Sequence, residues 1–383
     1  MSGARPSPDS ACEGCLRRCW LVGRLAPYIQ TACENRASRR VPELLRLENE
    51  ALAEAIAPGK ADRILSEVDE ISEASMREVL AGAECWACCR HDEDFPEGLD
   101  DGADAPHALI GRGGSFPLAE VTLDGSVTVV GARRATGYGL EVARRLGGDL
   151  AGSGLTVVSG MALGIDGAAH RGALERGRAV AVLACGPDLA YPASHRWLYR
   201  RLVESGLVIS EMPPGSRAWR WAFPARNRIM AALSQMTVVV EAARRSGSLI
   251  TAEMAADAGR EVGAVPGQVT VGAAAGTNEL IASGAALVRD GRDVLDRAIG
   301  VGAVIPEMFG PDPGPGGAAV LGAVEHGCET VDRVADLLCA DAAEVAGNLA
   351  RLEVSGYLRC SISGTWSRTG LQAPYPSTPD GQS

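Results

Sequence analysis

Four segments of this chain place glycines, arginines and small hydroxyl residues where an anion could be held. The apolar run Val127–Val130 leads into Gly131-Ala132-Arg133-Arg134-Ala135-Thr136-Gly137-Tyr138-Gly139. Glycines let a backbone come close to an anion, and a helix starting there presents free N–H groups and a partial positive charge. Arg133 adds a forked donor that matches phosphate. The turn has neither the Gly-x-Gly-x-x-Gly dinucleotide pattern nor the Lys-Ser/Thr pair of a Walker loop. Its alternative reading is a tight turn that needs glycine for packing. The second segment is Ser159-Gly160-Met161-Ala162-Leu163-Gly164-Ile165-Asp166, with His170 four residues beyond. Asp166 suits a helix cap, and His170 would share its face and could pair with it. No nucleophile or metal triad accompanies them, so a structural Asp–His contact is favoured over acid–base chemistry.

The third segment, Phe223-Pro224-Ala225-Arg226-Asn227-Arg228, clusters cationic and amide donors at a helix start. That arrangement suits phosphate, with Phe223 either stacking on a base or packing. The fourth begins with Glu241 at the end of an apolar run and continues through Arg244-Arg245 to Ser246-Gly247-Ser248. It suits ribose or base hydrogen bonding, or a structural ion pair from Glu241 to one of the arginines, which is the favoured reading.

Cysteines make a separate group. Cys12-x-x-Cys15-x-x-x-Cys19 and Cys85-x-x-Cys88-Cys89-x-His91 flank a helical stretch. Cys-x-x-Cys is zinc-ligand spacing, so Cys12, Cys15, Cys85 and Cys88 could form a four-sulfur structural zinc site. The alternative is a helical domain that tolerates reduced thiols, and no other cofactor is expected.

The elements that must carry these segments follow from texture. Residues 1–15 open with a Ser/Pro-rich stretch and are expected to be disordered. Residues 16–89 read as a small helical N-terminal domain. Residues 105–298 alternate apolar runs with helical segments. Val127–Val130, Leu155–Val158, Ala179–Leu183, Leu207–Ile209, Thr237–Val240 and Val262–Val265 predict buried strands, and Ala286–Val288 a seventh. Gly139–Ala151, Gly164–Arg176, Ser194–Glu204, Asn227–Leu233 and Ser248–Ala258 predict the helices between them. This is the pattern of an α/β fold, a doubly wound Rossmann-like parallel sheet covered on both faces. Residues 299–317 read as a Pro/Gly linker. Residues 318–371 read as helix, helix-turn-helix and a hairpin around Ser363-Gly364, the order of a winged-helix domain. Residues 372–383 are expected to be a disordered tail.

Composition excludes several classes. The chain has 383 residues, is 46% hydrophobic and 22% charged, and carries a net charge of −11. It is therefore globular rather than disordered. It has no apolar run of about 20 residues and no signal-peptide core, so no membrane association is expected. Eleven scattered cysteines fit a reducing cytoplasm. Aromatic residues are only 4%, too few for an extended base-stacking platform. Charge is uneven: residues 127–260 are net +7 between flanks of −10 and −8. A basic middle is what a local anion site requires, although arginines on helix faces would give the same count.

Taken in order, VGARRATGYG, SGMALGIDGAAH, GPDLAYP, SEMPPG, FPARNRIMAALS, VVVEAARRSGSLITAEMAADAGR, VPGQ and GTNELIASGA resemble the DNA-processing protein A family, also called DprA or Smf. The resemblance covers residues 105–295. It implies an extended Rossmann-like domain that binds single-stranded DNA as a homodimer. It further implies protection of incoming strands and loading of the RecA recombinase during natural transformation, in competence and DNA recombination, with no catalysis. Carried over by motif, Gly131, Arg133, Thr136 and Gly137 would hold phosphate. Ser159, Gly160, Leu163 and Gly164 would allow close backbone approach, with Leu163 standing where many relatives carry Lys or Arg. Phe223, Arg226, Asn227 and Arg228 would line the same groove, with Ser246, Gly247 and Ser248 beside them. Donors converging at one sheet edge would take a single strand with little sequence preference and strong salt dependence. The rival reading is a nucleoside-monophosphate phosphoribohydrolase, whose Gly-Gly-x-Gly-Thr-x-x-Glu signature is missing at the Glu241 turn. A nucleotide sensor with the last domain as output is the third. That last domain is net −3, which favours a protein contact over duplex DNA.

Overall fold

The computed structural model describes residues 10–34, 41–100, 105–302, 304–305, 310–361 and 364–374. Helices open the chain: α1 (Glu13–Glu34), α2 (Val41–Leu45), α3 (Asn49–Ile56), α4 (Ala61–Asp69) and α5 (Glu73–Gly82). Strand β1 (Cys85–Cys89), the short α6 (Glu97–Asp100) and β2 (Ala108–Gly113) follow. Then come β3 (Ser126–Val130), α7 (Gly137–Gly152), β4 (Thr156–Ser159), α8 (Ile165–Arg176), β5 (Ala179–Val182), α9 (Arg196–Ser205) and β6 (Leu207–Ser210). The second half of the sheet is β7 (Met236–Val239), reached through α10 (Ala222–Ala232), then α11 (Gly247–Asp257), β8 (Glu261–Ala264), α12 (Ala275–Ala282), β9 (Ala286–Leu287) and α13 (Gly291–Ala298).

These strands form one nine-stranded sheet in the order β1-β2-β6-β5-β4-β3-β7-β8-β9. The seven from β6 to β9 run parallel, while β1 and β2 are antiparallel additions at one edge. Strand β3 is buried on both faces. Val127 and Val129 enter one core with Leu146 and Ile165, and Val130 enters the other with Val158 and Val182. A strand buried on both sides has no polar alternation, which is why these runs read as continuous apolar segments.

Two expectations change here. Residues 85–89 lie in the sheet, not in a helical domain. The helices before them do not close a core of their own: Leu21, Leu25 and Ile29 pack with Trp221, Ala222 and Ala225. Residues 10–15, expected in a disordered terminus, are seated. The amides of Ser10 and Ala11 donate to the Ala87 carbonyl at 3.0 and 3.2 Å, and α1 starts at Glu13.

The described residues divide into two compact units, with the break between residues 305 and 306. The second holds α14 (Gly314–Glu325), α15 (Val331–Leu338), α16 (Ala342–Val354) and a hairpin of β10 (Leu358–Cys360) and β11 (Trp366–Arg368). Helix α14 begins inside the expected linker, because a proline in the first turn costs no hydrogen bond. Val320, Val334, Leu349 and the fully buried Tyr357 make its core. Ser363, expected at the hairpin turn, lies outside the described residues, as do residues 375–383 of the expected tail. Gln372 is placed, accepting from the Gly310 amide at 2.9 Å.

Candidate nucleic-acid interface

In a doubly wound sheet the ligand crevice opens where the strand order reverses, outside the carboxyl ends. Here that point lies between β3 and β7, since β4, β5 and β6 lie to one side of β3 and β7 and β8 to the other. A cavity of about 490 Å³ occupies it, walled by the turns after β3 and β7 and by the start of α10.

The turns are tied to one another through the backbone. The Ala132 amide donates to the Glu241 carbonyl at 2.7 Å, and the Ile165 amide donates to the Ala132 carbonyl at 3.2 Å. Gly164 joins them at φ +78°, and a side chain there would collide with the Ala132 carbonyl. Glycine at this position is required by the fold whatever it binds.

Thr136 is committed. Its hydroxyl accepts from the Gly139 amide and donates to Glu241 Oε2 at 2.5 Å, while its amide donates to Glu241 Oε1 at 3.1 Å. Glu241 is buried. Its partner is therefore this turn and not an arginine, and Thr136 has no free donor for phosphate. Ser159 is fully buried and donates to the Val129 carbonyl at 2.6 Å. It belongs to the sheet and not to a binding surface.

Arg226 and Arg228 part ways. Two residues apart on α10 they point about 200° from each other. Arg228 is buried, donates to both Glu211 oxygens at 2.7 and 2.8 Å, and does not line the cavity. Arg226 does line it, yet its guanidinium passes beneath Gly160 and donates to the Val182 carbonyl. Burial lowers its pKa to about 10 against the opposing pull of Asp166. Asn227 accepts from Arg226 Nε at 3.0 Å.

Asp166 accepts from the Gly160 and Ala162 amides at 3.2 and 3.3 Å. Burial raises its carboxyl above the ordinary range, with Arg226 pulling the other way. It makes no hydrogen bond to His170, contrary to the Asp–His expectation, because the carboxylate serves the turn after β4. His170 is fully buried, and desolvation keeps it neutral with a pKa of about 3. A depressed histidine opposes protonation in the folded chain only. Stability should therefore fall as pH drops below about 6.5, by roughly 1–2 kcal/mol at pH 5. Urea midpoints measured at pH 7 and pH 5 check this, and His170→Leu should flatten the difference.

The groups left facing the cavity are few. Arg133 is exposed, its guanidinium 4.8 Å above the Phe223 ring, and Tyr191 lies 5.6 Å from that same ring. Arg134 and Arg245 are exposed on its rim and, like Arg133, make no ion pair among the described residues. Neither is assigned to anion binding from sequence, where Arg245 is read only as a possible ion-pair partner of Glu241, although each is half of an Arg-Arg pair beside a glycine turn. Ser246 caps α11 and lies 2.8 Å from the Ser248 hydroxyl, with open space above Gly247 and Gly137. Leu163 is 43% exposed and adds no charge.

Of the expected zinc set, Cys12 and Cys15 come together, whereas Cys85 and Cys88 are elsewhere. Side chains on a strand alternate, so Cys88 faces the opposite side of β1 from Cys89 and joins a different core. Cys85 shares the Cys89 face but stands at the other end of the strand.

Fold and crevice together define a doubly wound α/β protein with a cationic cleft at its strand-order switch point. The sequence profile of DNA recombination-mediator protein A matches residues 86–298. The chain belongs to that family. It is 44% identical over 252 residues to a putative DNA processing protein DprA of Mycobacterium tuberculosis, covering 63% of this chain and 64% of that relative's length. It is 36% identical over 279 residues to protein Smf of Escherichia coli, covering 70% and 73%. The Streptococcus pneumoniae DprA structure superposes with a TM-score of 0.59 at 31% identity, covering 74% of this chain and 95% of that one. The Helicobacter pylori DprA structure, described for its single-stranded DNA binding mode, gives 0.50 at 27% identity, covering 56% and 95%. No described helix is long and apolar enough to cross a membrane.

Proposed function

We propose that this chain binds single-stranded DNA across the crevice between β3 and β7, without catalysis, and acts in DNA recombination. The observation that carries the reading is the set Arg133, Arg134 and Arg245 around that cavity, none of them neutralised by a carboxylate among the described residues. Three guanidinium groups with no ion pair among the described residues, and open glycine turns between them, attract phosphate, and the half-buried Phe223 ring beneath Arg133 lines the same cavity. The cationic groups buried nearby hold the walls in place. Among the described residues lining the cavity no hydroxyl is hydrogen-bonded to a carboxylate or a histidine, and Asp166 faces the Gly160 and Ala162 amides. That favours a binding protein over a phosphoribohydrolase.

Handing the strand to a RecA-type recombinase, in transformation or general repair, and acting as a homodimer are part of the same proposal. Family membership supports them. The three helices and hairpin of the second unit follow the order of a winged helix. Its acidic surface suits a protein partner better than a duplex.

The test is a salt-titrated comparison of a poly-dT oligonucleotide with a matched duplex. Selective, salt-sensitive single-strand binding is expected. Arg133→Ala should weaken it several-fold and lower the salt slope by about one, with an unchanged unfolding midpoint. Equal affinity for duplex, or release of a free base from a nucleotide, would overturn the reading.

A further inference from the structure

Far along the chain from the crevice residues, four ligand-bearing side chains meet at the edge of the sheet. Cys12 and Cys15 come from the start of α1, Cys89 from the end of β1, and His91 from the turn beyond it. Their three sulfurs and one ring nitrogen all lie within 4.8 Å of one another. Cys12 Sγ, Cys15 Sγ and Cys89 Sγ stand 3.4, 3.6 and 3.8 Å from the same atom, His91 Nδ1. Tetrahedral zinc with Zn–S of about 2.3 Å and Zn–N of about 2.0 Å separates neighbouring sulfur and nitrogen by about 3.6 Å. The three sulfur–nitrogen edges here scatter around that value.

Hydrogen bonding cannot account for the arrangement. An imidazole nitrogen has one proton or one lone pair in the ring plane, so it can serve one thiol and not three. All three cysteines are free thiols, so a disulfide does not explain the approach either. A central cation does explain it. The Cys12 amide also points at Cys89 Sγ at 3.4 Å, and the first turn of α1 directs its partial positive charge at the sulfurs. Both features stabilise thiolates.

We infer that Cys12, Cys15, Cys89 and His91 bind one zinc ion as a closed, structural Cys3His site. Binding deprotonates the three thiols, the protons leave to solvent, and each sulfur and Nδ1 donates a pair to the metal. Four protein ligands leave no open position, which excludes a catalytic role for the ion. The site clasps the start of α1 to the end of β1, segments 74 or more residues apart in the chain. Its place in the fold explains why residues 10–15 are seated on the sheet. Helix α1 then reaches Trp221, whose indole N–H donates to the Ala26 carbonyl at 3.0 Å beside the start of α10.

The full chain, purified without chelator, is analysed for metal by elemental mass spectrometry and refolded with cobalt as a spectroscopic probe. About one zinc per chain is expected. Cobalt should give tetrahedral ligand-field bands and a thiolate charge-transfer band. His91→Ala changes an exposed side chain and should keep the fold while losing the metal and the cobalt spectrum. Cys85→Ser and Cys88→Ser should retain both. Metal at well under one equivalent would overturn the site. So would metal kept by His91→Ala with an unchanged spectrum, or a disulfide mapped between Cys12, Cys15 and Cys89 in fresh protein. Oligonucleotide binding is read separately, so failure here leaves the crevice proposal standing.

Discussion

Arg226→Ala is expected to lower the unfolding free energy by about 3–5 kcal/mol, far more than any loss of binding would suggest. The residue looks like a phosphate ligand in the sequence and is a pillar in the structure. Its guanidinium fills the space under Gly160, donates to the Val182 carbonyl, and is the largest positive influence on the buried Asp166 carboxyl. Truncation removes the nearest positive charge from that buried carboxyl, leaving it to its backbone amides, and takes the side-chain donor from the Val182 carbonyl. Asp166 in turn holds the Gly160 and Ala162 amides, so the turn after β4 should loosen. Urea unfolding of the purified variant measures the cost. A double variant, Arg226→Met with Asp166→Asn, removes both charges and should recover part of it. A midpoint for Arg226→Ala equivalent to less than about 1 kcal/mol of loss would mean the guanidinium is solvated in solution and free to bind.

Gly172→Ala should cost about 3 kcal/mol, and its effect should reach the crevice. Helices α7 and α8 pack backbone against backbone, with Gly147 facing the Ala169 carbonyl and Gly172 facing the Arg144 carbonyl. A methyl at Gly172 would overlap that carbonyl, and neither helix has a flexible side chain there to give way. The helices can relieve the overlap only by separating. That moves the start of α8, where Ile165 is hydrogen-bonded to Ala132. Thermal or urea unfolding reads the stability loss, and poly-dT binding of the folded fraction reads the displacement. Gly137→Ala is the control: open space surrounds it and its φ is not positive, so stability should hold or rise slightly. Equal stability of Gly172→Ala and the parent would show that the two helices are not in backbone contact.

Much of this protein was legible before any coordinates. The six apolar runs between residues 127 and 265 became β3 to β8 with ends shifted by about one residue, because a strand buried on both faces has an unmistakable composition. The turns that carry the crevice were legible for a related reason: a glycine turn between a buried strand and a helix falls at the carboxyl edge whatever its length. Strand β1 was not. Cys85-Trp86-Ala87-Cys88-Cys89 has no β-branched residue, and it is a strand because β2 lies alongside to pair with it. Sequence pointed to arginine for the crevice and to cysteine for the proposed metal site, residue types that the chemistry of phosphate and zinc dictates, but it left Cys89 and His91 out of the four-sulfur set. Which of them do the work was decided by direction. Arg226 and Arg228 point to opposite sides of one helix, and Arg226 is spent on the Val182 carbonyl and the Asn227 side chain while Arg133 stays in solvent. Cys88 and Cys89 point to opposite faces of one strand, and only Cys89 meets Cys12. A spacing specifies that two side chains can share a face. Only the packing of that face against another segment determines what they find there.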